Sequence, residues 1–271
     1  MSVVCLKQSG ERFAKGSTTG EPFHPEGTRA AADKIMRAMQ QRVDLDIDGM
    51  LVVPGGGNLF RGEELRARGI SGRSADFLGR IGTVANAAVL SDQLTARMVP
   101  HLVLVTDRMK VVDASFKAEK YTTERMGNAF ADGMVVVIGG GTGEDNVTTD
   151  NAVVSYAADF RSTGTDTEVM ILKGTQFDGV FDQDPAIFTN PPRLRTISAA
   201  QMLDNHESFG AVDAASLRSL MRHDMSMLVY ADGGHDLETV LRHYPGRMNG
   251  DMSSIGTVIV GHDVEAEYYT T

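Results

Sequence analysis

Two glycine triplets, each behind a run of branched apolar residues, mark where this chain could do chemistry: Met50-Leu-Val-Val-Pro-Gly-Gly-Gly-Asn-Leu-Phe-Arg-Gly62 and Met134-Val-Val-Val-Ile-Gly-Gly-Gly-Thr-Gly143. Consecutive glycines present backbone N–H groups with no Cβ in the way and tolerate positive φ, so they can wrap an anion, most often a phosphate. A helix beginning just beyond each triplet, from Asn58 and from Thr148, would add its N-terminal N–H groups and dipole. Two such loops in one fold suggest two phosphorylated ligands face to face, and hence transfer of a phosphoryl group between them.

Charged residues near these loops fit that chemistry. The first apolar run ends in Lys7-Gln-Ser-Gly-Glu11. A lysine leaving a strand there can neutralise a transferring phosphoryl group while the Ser9 and Gly10 amides bind its oxygens. The same string also fits an ordinary surface turn. Arg61 stands where its fork could grip a phosphate, or where it would simply decorate a helix. Thr148-Thr-Asp150 can cap a helix and still bring Asp150 near both loops, to orient lysines or hold a magnesium ion. In the segment from Lys173 to Pro185, Asp178-Gly179 is a hairpin signal and Asp184-Pro185 starts another turn. Turn chemistry leaves Lys173, Thr175 and Asp184 unexplained. Asp213 reads most simply as the N-cap of the helix after it.

Several other chemistries lack their residues. Neither triplet reads G-x-x-x-x-G-K-[ST] or G-x-G-x-x-G, and no G-x-S-x-G elbow is present. His206, His223, His235 and His243 lack zinc-site spacing, and the single cysteine, Cys5, sits in an apolar run as a small buried hydrophobe. One cysteine forms no internal disulfide, so a reducing cytoplasm is the expected compartment. A net charge of −10 argues against a nucleic-acid partner. No apolar run approaches the ~20 residues of a membrane span, so a soluble protein without a membrane partner is expected.

The elements that must position these residues alternate along the chain. Apolar runs at 2–6, 50–53, 102–106, 134–138, 168–172, 225–230 and 257–260 lack strict alternation, as strands buried on both faces do. Between them 27–42, 74–98, 148–161, 198–203, 214–222 and 237–243 carry helical spacing. Such alternation predicts a mainly parallel sheet covered by helices, with ligands at the carboxyl ends of the strands, where both triplets lie. The segments 110–124 and 189–193 read as the long loops.

In order, Lys7-Gln-Ser-Gly-Glu11, Gly55-Gly-Gly-Asn-Leu-Phe-Arg-Gly62, Asp76-Phe-Leu-Gly-Arg-Ile-Gly-Thr-Val-Ala-Asn86, Gly141-Thr-Gly143 with Thr148-Thr-Asp150, Lys173-Gly-Thr-Gln-Phe-Asp-Gly-Val-Phe181 and Asp184-Pro185 resemble the bacterial uridylate kinases of the amino acid kinase superfamily. The likeness runs on through Asp213-Ala-Ala and Gly256-Thr-Val-Ile. It implies one α/β domain over 1–271, a three-layer αβα sandwich with a mainly parallel central sheet. An N-terminal acceptor lobe would span about 1–165 and a C-terminal ATP lobe about 166–271. It further implies a homohexamer that transfers the γ-phosphoryl group of ATP to UMP with Mg2+, in pyrimidine nucleotide metabolism. By motif position, Lys7, Gln8, Ser9, Gly10, Gly57, Arg61, Thr175, Phe181 and Asp184 would hold ATP. Gly56, Asp76, Thr142, Gly143, Glu144, Asp145, Asn146, Val147, Thr148 and Thr149 would hold the acceptor. Lys7 would neutralise charge and Asp150 organise the site, with Lys173 and Asp213 in support. No set of side chains is assigned to a metal.

Three segments depart from the pattern of that family. Its acceptor loop reads Thr-Gly-Asn-Pro-Phe-Phe-Thr-Thr, whereas here 142–149 reads Thr-Gly-Glu-Asp-Asn-Val-Thr-Thr: two aromatic rings and a proline are gone, and two carboxylates are present. Thr106-Asp-Arg-Met-Lys110 replaces Ser-Ala-Ile-Pro after the third strand, and Lys15-Gly-Ser-Thr-Thr-Gly20 occupies the segment where relatives bind an activating GTP. Two alternatives therefore stay open beside UMP: another small acceptor on the same ATP site, or a hexamer that stores an oxyanion such as molybdate or tungstate.

Overall fold

The computed structural model describes residues 1–15, 17–18, 20–106, 109, 116–145, 147–164, 167–205, 209–244 and 255–269. Four of the positions named above, Gly16, Thr19, Asn146 and His206, lie outside the described residues, as do 107–108 and 110–115.

The elements in chain order are β1 (Ser2–Gln8), α1 (Glu11–Ala14), α2 (Pro25–Gln40), β2 (Gly49–Pro54), α3 (Gly62–Ala67), α4 (Gly72–Thr95), β3 (His101–Val105), β4 (Ala118–Lys120), α5 (Thr123–Ala131) and β5 (Val135–Gly139). They continue as α6 (Thr149–Arg161), β6 (Glu168–Thr175), β7 (Leu194–Ser198), α7 (Ala199–Asp204), α8 (Ala214–His223), β8 (Ser226–Ala231), α9 (Leu237–Arg242), β9 (Thr257–Val260) and β10 (Glu267–Tyr268). One sheet takes all the strands in the order β10-β7-β9-β8-β6-β1-β2-β5-β3-β4. Its centre is parallel, as expected, and only β9 against β8 and β10 against β7 pair antiparallel.

Strand parity divides the interior into two cores. Val3 and Cys5 of β1 face one side, with Phe130 of α5, Val153 and Ala157 of α6 and Leu217 of α8. Val4 and Leu6 face the other, with Ile35 of α2, Leu90 of α4 and Val240 of α9. All four β1 residues are buried, which accounts for the unbroken apolar run: a central parallel strand has no polar face. Helix starts follow local chemistry. The side chains of Ser71, Thr122, Thr148 and Asp213 accept N–H bonds at the heads of α4, α5, α6 and α8, and Ser198 forms a capping box with Gln201.

The strand order changes direction around β1, which lies between β6 and β2. That is the switch point at which an open α/β sheet leaves a crevice. Both glycine triplets and both candidate lysines stand at its carboxyl edge.

Some local expectations differ from the structure. No helix begins at Asn58: residues 57–59 form a turn, α3 starts at Gly62, and the triplet packs instead on the flank of α4. Asp178-Gly179 makes no two-stranded hairpin. Gly179 (φ +113°) turns because β9 presses on it, with Thr257 Oγ1 2.5 Å from where a Cβ would sit, and an isolated Phe181–Arg193 bridge closes the loop that follows. The expected loop 110–124 contains β4 and the head of α5, and α1, β7 and β10 were not foreseen. Each is short or lies at the sheet edge, where the apolar pattern is weak.

Candidate active site

In the β1–β6 ladder Lys7 is paired with Lys173. Neighbouring strands lie roughly 4.8 Å apart, so two ammonium groups on the same face of adjacent strands require a shared counter-charge. Asp150, in the first turn of α6, supplies it. Its Oδ1 lies 3.3 Å from Lys7 Nζ, and its Oδ2 accepts from Lys173 Nζ. Lys173 also donates to the Ala211 carbonyl. Parity makes this possible: Lys7 continues the Val3–Cys5 face, towards α6, whereas Gln8 turns to the opposite side.

Burial opposes the charge on Asp150, but the Lys7 and Lys173 ammonium groups outweigh it and hold the carboxyl at about 2. Burial lowers the pKa of Lys173, with Asp150 acting against that shift and Lys7 adding to it. Asp150 is thus a fixed anion. Asp213 caps α8 through Ala215 N and Ser216 N at 3.0 Å each, and it also accepts from Thr148 Oγ1 at 2.7 Å. The capping reading of Asp213 holds, and the added bond ties the heads of α6 and α8 together.

A cavity of about 480 Å3 opens beside the lysines. Lys7, Ser9 and Lys173 form its charged end, while Phe177, Val180 and Phe181 give an apolar wall. Thr175 and Asp184 line it too. Glu11 at its rim accepts from Ser9 Oγ and pairs with Arg61 at 2.7 Å. Burial would raise the Glu11 pKa, yet the Ser9 hydroxyl, its own backbone N–H, Arg61 and Lys7 together lower it.

The first triplet packs against the end of β1 and against α4. A Cβ on Gly10 would stand 2.9 Å from Gly55 O and 2.9 Å from Gly57 N, and one on Gly56 would stand 2.6 Å from Gly79 O in α4. Loop, triplet and helix touch backbone to backbone. Asn86 of α4 donates to the Gly55 carbonyl and Asn58 donates back to Asn86 at 3.1 Å. At the second triplet, Gly140 N donates to Thr83 Oγ1 at 2.7 Å and Tyr156 donates to Gly141 O at 2.6 Å.

This arrangement of two phosphate-sized loops and paired lysines at the switch point of the sheet coincides with a sequence match: the pattern of the Amino acid kinase family fits residues 6–230. The chain belongs to the amino acid kinase family. It is 31% identical over 227 residues to the uridylate kinase of Tropheryma whipplei (strain Twist), covering 84% of this chain and 89% of that protein. It is similar to the crystal structure of UMP kinase from Bacillus anthracis, with a TM-score of 0.78, 26% identity and 98% of each chain covered. The UMP kinase from Ureaplasma parvum shares the fold at 21% identity and a TM-score of 0.76, over 96% of this chain and 98% of that one.

Within this amino acid kinase the expected site residues fall into three groups. Lys7, Ser9, Thr175, Phe181, Asp184, Lys173 and Asp150 converge on the cavity or its charged end. Gly10, Gly56 and Gly57 pack backbone to backbone beside the cavity end of β1, and Arg61 lines an adjoining cavity of about 520 Å3 with Ser9 and Glu11. The Gln8 side chain points away from the cavity, to Asp232 Oδ2 at 3.4 Å. On the acceptor side Asp76 pairs with Arg66, and Thr148 and Thr149 begin α6. Thr142 Oγ1 accepts from Glu144 N at 3.4 Å, and Gly143 takes φ +80°. Glu144 O and Asp145 are held by Arg80, and Val147 is partly buried.

Sequence reasoning missed Glu11, Arg80, the Ala211 carbonyl and a buried Lys34–Asp232 pair at 2.9 Å. Glu11 and Arg80 stood inside quoted motifs, but their partners are distant in sequence. Nothing local marked the other two.

Proposed function

We propose that this amino acid kinase transfers the γ-phosphoryl group of ATP to UMP. The observation that carries the reading is the Lys7–Asp150–Lys173 cluster at the mouth of the cavity, in a chain 31% identical to a uridylate kinase. ATP lies with its base along Phe177, Val180 and Phe181 and its phosphates toward Ser9, Lys7 and Lys173. UMP lies across the Gly55–Gly57 loop, near Asp76 and the segment 142–149. A phosphate monoester is already largely dianionic above its second pKa of about 6, so the attacking oxygen needs no protein base. Asp150, held at about 2, is a poor proton acceptor and serves to aim the two lysines. Positioning and charge neutralisation then account for the catalysis.

Magnesium fits as an ion carried in on the nucleotide. Among the described residues no three His, Cys, Asp or Glu side chains gather to hold a metal, and both Asp150 oxygens face lysines. Mg2+ commonly binds through phosphate oxygens and water with only one or two carboxylates. When bound it neutralises charge on the transferring phosphates. The ten strands of one sheet support reading the chain as a single domain with two lobes. We further propose a homohexamer, as the resemblance to the bacterial uridylate kinases implies, which sedimentation would test against monomer and dimer masses. Among the described residues no helix is long and apolar enough to cross a membrane.

A coupled assay of ADP release with UMP, CMP, GMP and AMP tests the function. Turnover with UMP well above the other three is expected. Folded protein that turns over none of them with magnesium and ATP would defeat the reading.

A further inference from the structure

We propose that Arg80 sets acceptor specificity by clasping the segment after the second glycine triplet onto α4, a proposal that rests on the acceptor assignment above. Arg80 lies one turn beyond Asp76 and one turn before Thr83, so the three share a helix face. Its Nη1 donates to Glu144 O at 3.0 Å and to Asp145 Oδ1 at 2.9 Å. The Arg80 side chain is only 16% exposed, whereas that of Asp145 is 49% exposed. The guanidinium is therefore the seated half of the clasp and the carboxylate the half that can swing away.

The neighbouring geometry makes the clasp matter. Thr83, on the same face, accepts the Gly140 N–H, so α4 holds the loop at its start through Thr83 and further along through Arg80. Between those points Gly141 and Gly143 take φ of +57° and +80°, conformations that a glycine chain leaves as easily as it enters. Both clasp bonds leave from Nη1. Among the described residues Nε and Nη2 carry no hydrogen bond, so the fork keeps donors for a carbonyl or phosphate oxygen of the acceptor. One of the two carboxylates that this chain places in its acceptor loop thereby gains a role: Asp145 holds the arginine, and the arginine holds the loop.

Arg80→Met, Arg80→Lys and Asp145→Asn in the full chain test this. Without nucleotide, amide hydrogen exchange over 140–145 should quicken about tenfold in Arg80→Met and Asp145→Asn, and less in Arg80→Lys. In steady-state assays Arg80→Met should raise KM for UMP about tenfold and leave KM for ATP within twofold. It should also shrink the ratio of kcat/KM for UMP over CMP, with Arg80→Lys recovering part of the loss. Unchanged exchange overturns the clasp. An equal rise in both KM values, or an unchanged UMP to CMP ratio, overturns the specificity role. Absence of nucleotide turnover in the unaltered protein would remove the kinase reading and the specificity role together, while the exchange rates still decide whether Arg80 holds the loop.

Discussion

Asp150 is the residue on which the site depends most, because its two oxygens face two lysines on adjacent strands. Asp150→Asn keeps the shape and removes the charge, leaving Lys7 and Lys173 to repel each other in a half-dry pocket. Breaking a buried pair from one side costs about 3–5 kcal/mol. Urea unfolding of the variant should show a loss of that order, together with near-complete loss of turnover. An unchanged midpoint would mean that water already screens the pair. The acid response follows from the same shift. The carboxyl titrates near 3.8 in an unfolded chain and near 2 when folded, so the unfolded chain takes up the proton first. Its stabilisation, about 2 kcal/mol from the size of the shift, is complete above about pH 5 and drains away as the pH falls through 2. Asp150→Asn should flatten the acid unfolding profile over that interval, and an equally steep profile would assign the acid sensitivity to other carboxylates.

At the scale of elements, two close approaches place the donor loop. Gly10 heads α1 at ordinary helical angles, so its need for glycine is steric: Gly55 O and Gly57 N leave no room for a methyl group. Gly10→Ala must push backbone against backbone. Overpacking of this kind costs about 1–3 kcal/mol, so the fold should survive while kcat/KM for ATP drops at least tenfold. Wild-type kinetics with an intact circular dichroism spectrum would show that the loops tolerate separation. The second approach is made on the opposite face by Lys34 of α2 and Asp232 beyond β8. Burial lowers the pKa of Lys34, Asp232 resists that shift, and Gln8 joins the pair to the strand that carries Lys7. Lys34→Met strands a buried carboxylate and should destabilise by about 3–5 kcal/mol, with Lys34→Met/Asp232→Asn recovering much of it. A loss in the double variant equal to the sum of the losses in Lys34→Met and Asp232→Asn would show that the pair is not coupled.

At the scale of the whole molecule, a single sheet runs through the described residues, so ligand binding at its carboxyl edge should stabilise everything attached to it. ATP at a hundred times its Kd should add about 2.7 kcal/mol to unfolding. For a chain of this size that corresponds to a rise in Tm of about 5 to 10 °C, and calorimetry with and without nucleotide checks it. No shift at saturating ATP would place the donor elsewhere. The sequence by itself determined a mainly parallel sheet covered by helices, since unbroken apolar runs alternating with helical periods allow little else. It also marked the two glycine loops and the lysines as candidates, because backbone that approaches an anion closely favours glycine and a lysine at a strand end can bring charge to it. Helix caps such as Thr148 and Asp213 were legible for the same local reason. Only the tertiary structure decided who meets whom. The β1–β6 register set Lys7 beside Lys173, strand parity sent Gln8 to the far face, and the packing of α4 brought Arg80 to Asp145 across 65 residues of chain. Spacing along a chain encodes periodicity and turns, whereas a partner dozens of residues away is chosen by the order in which strands and helices pack.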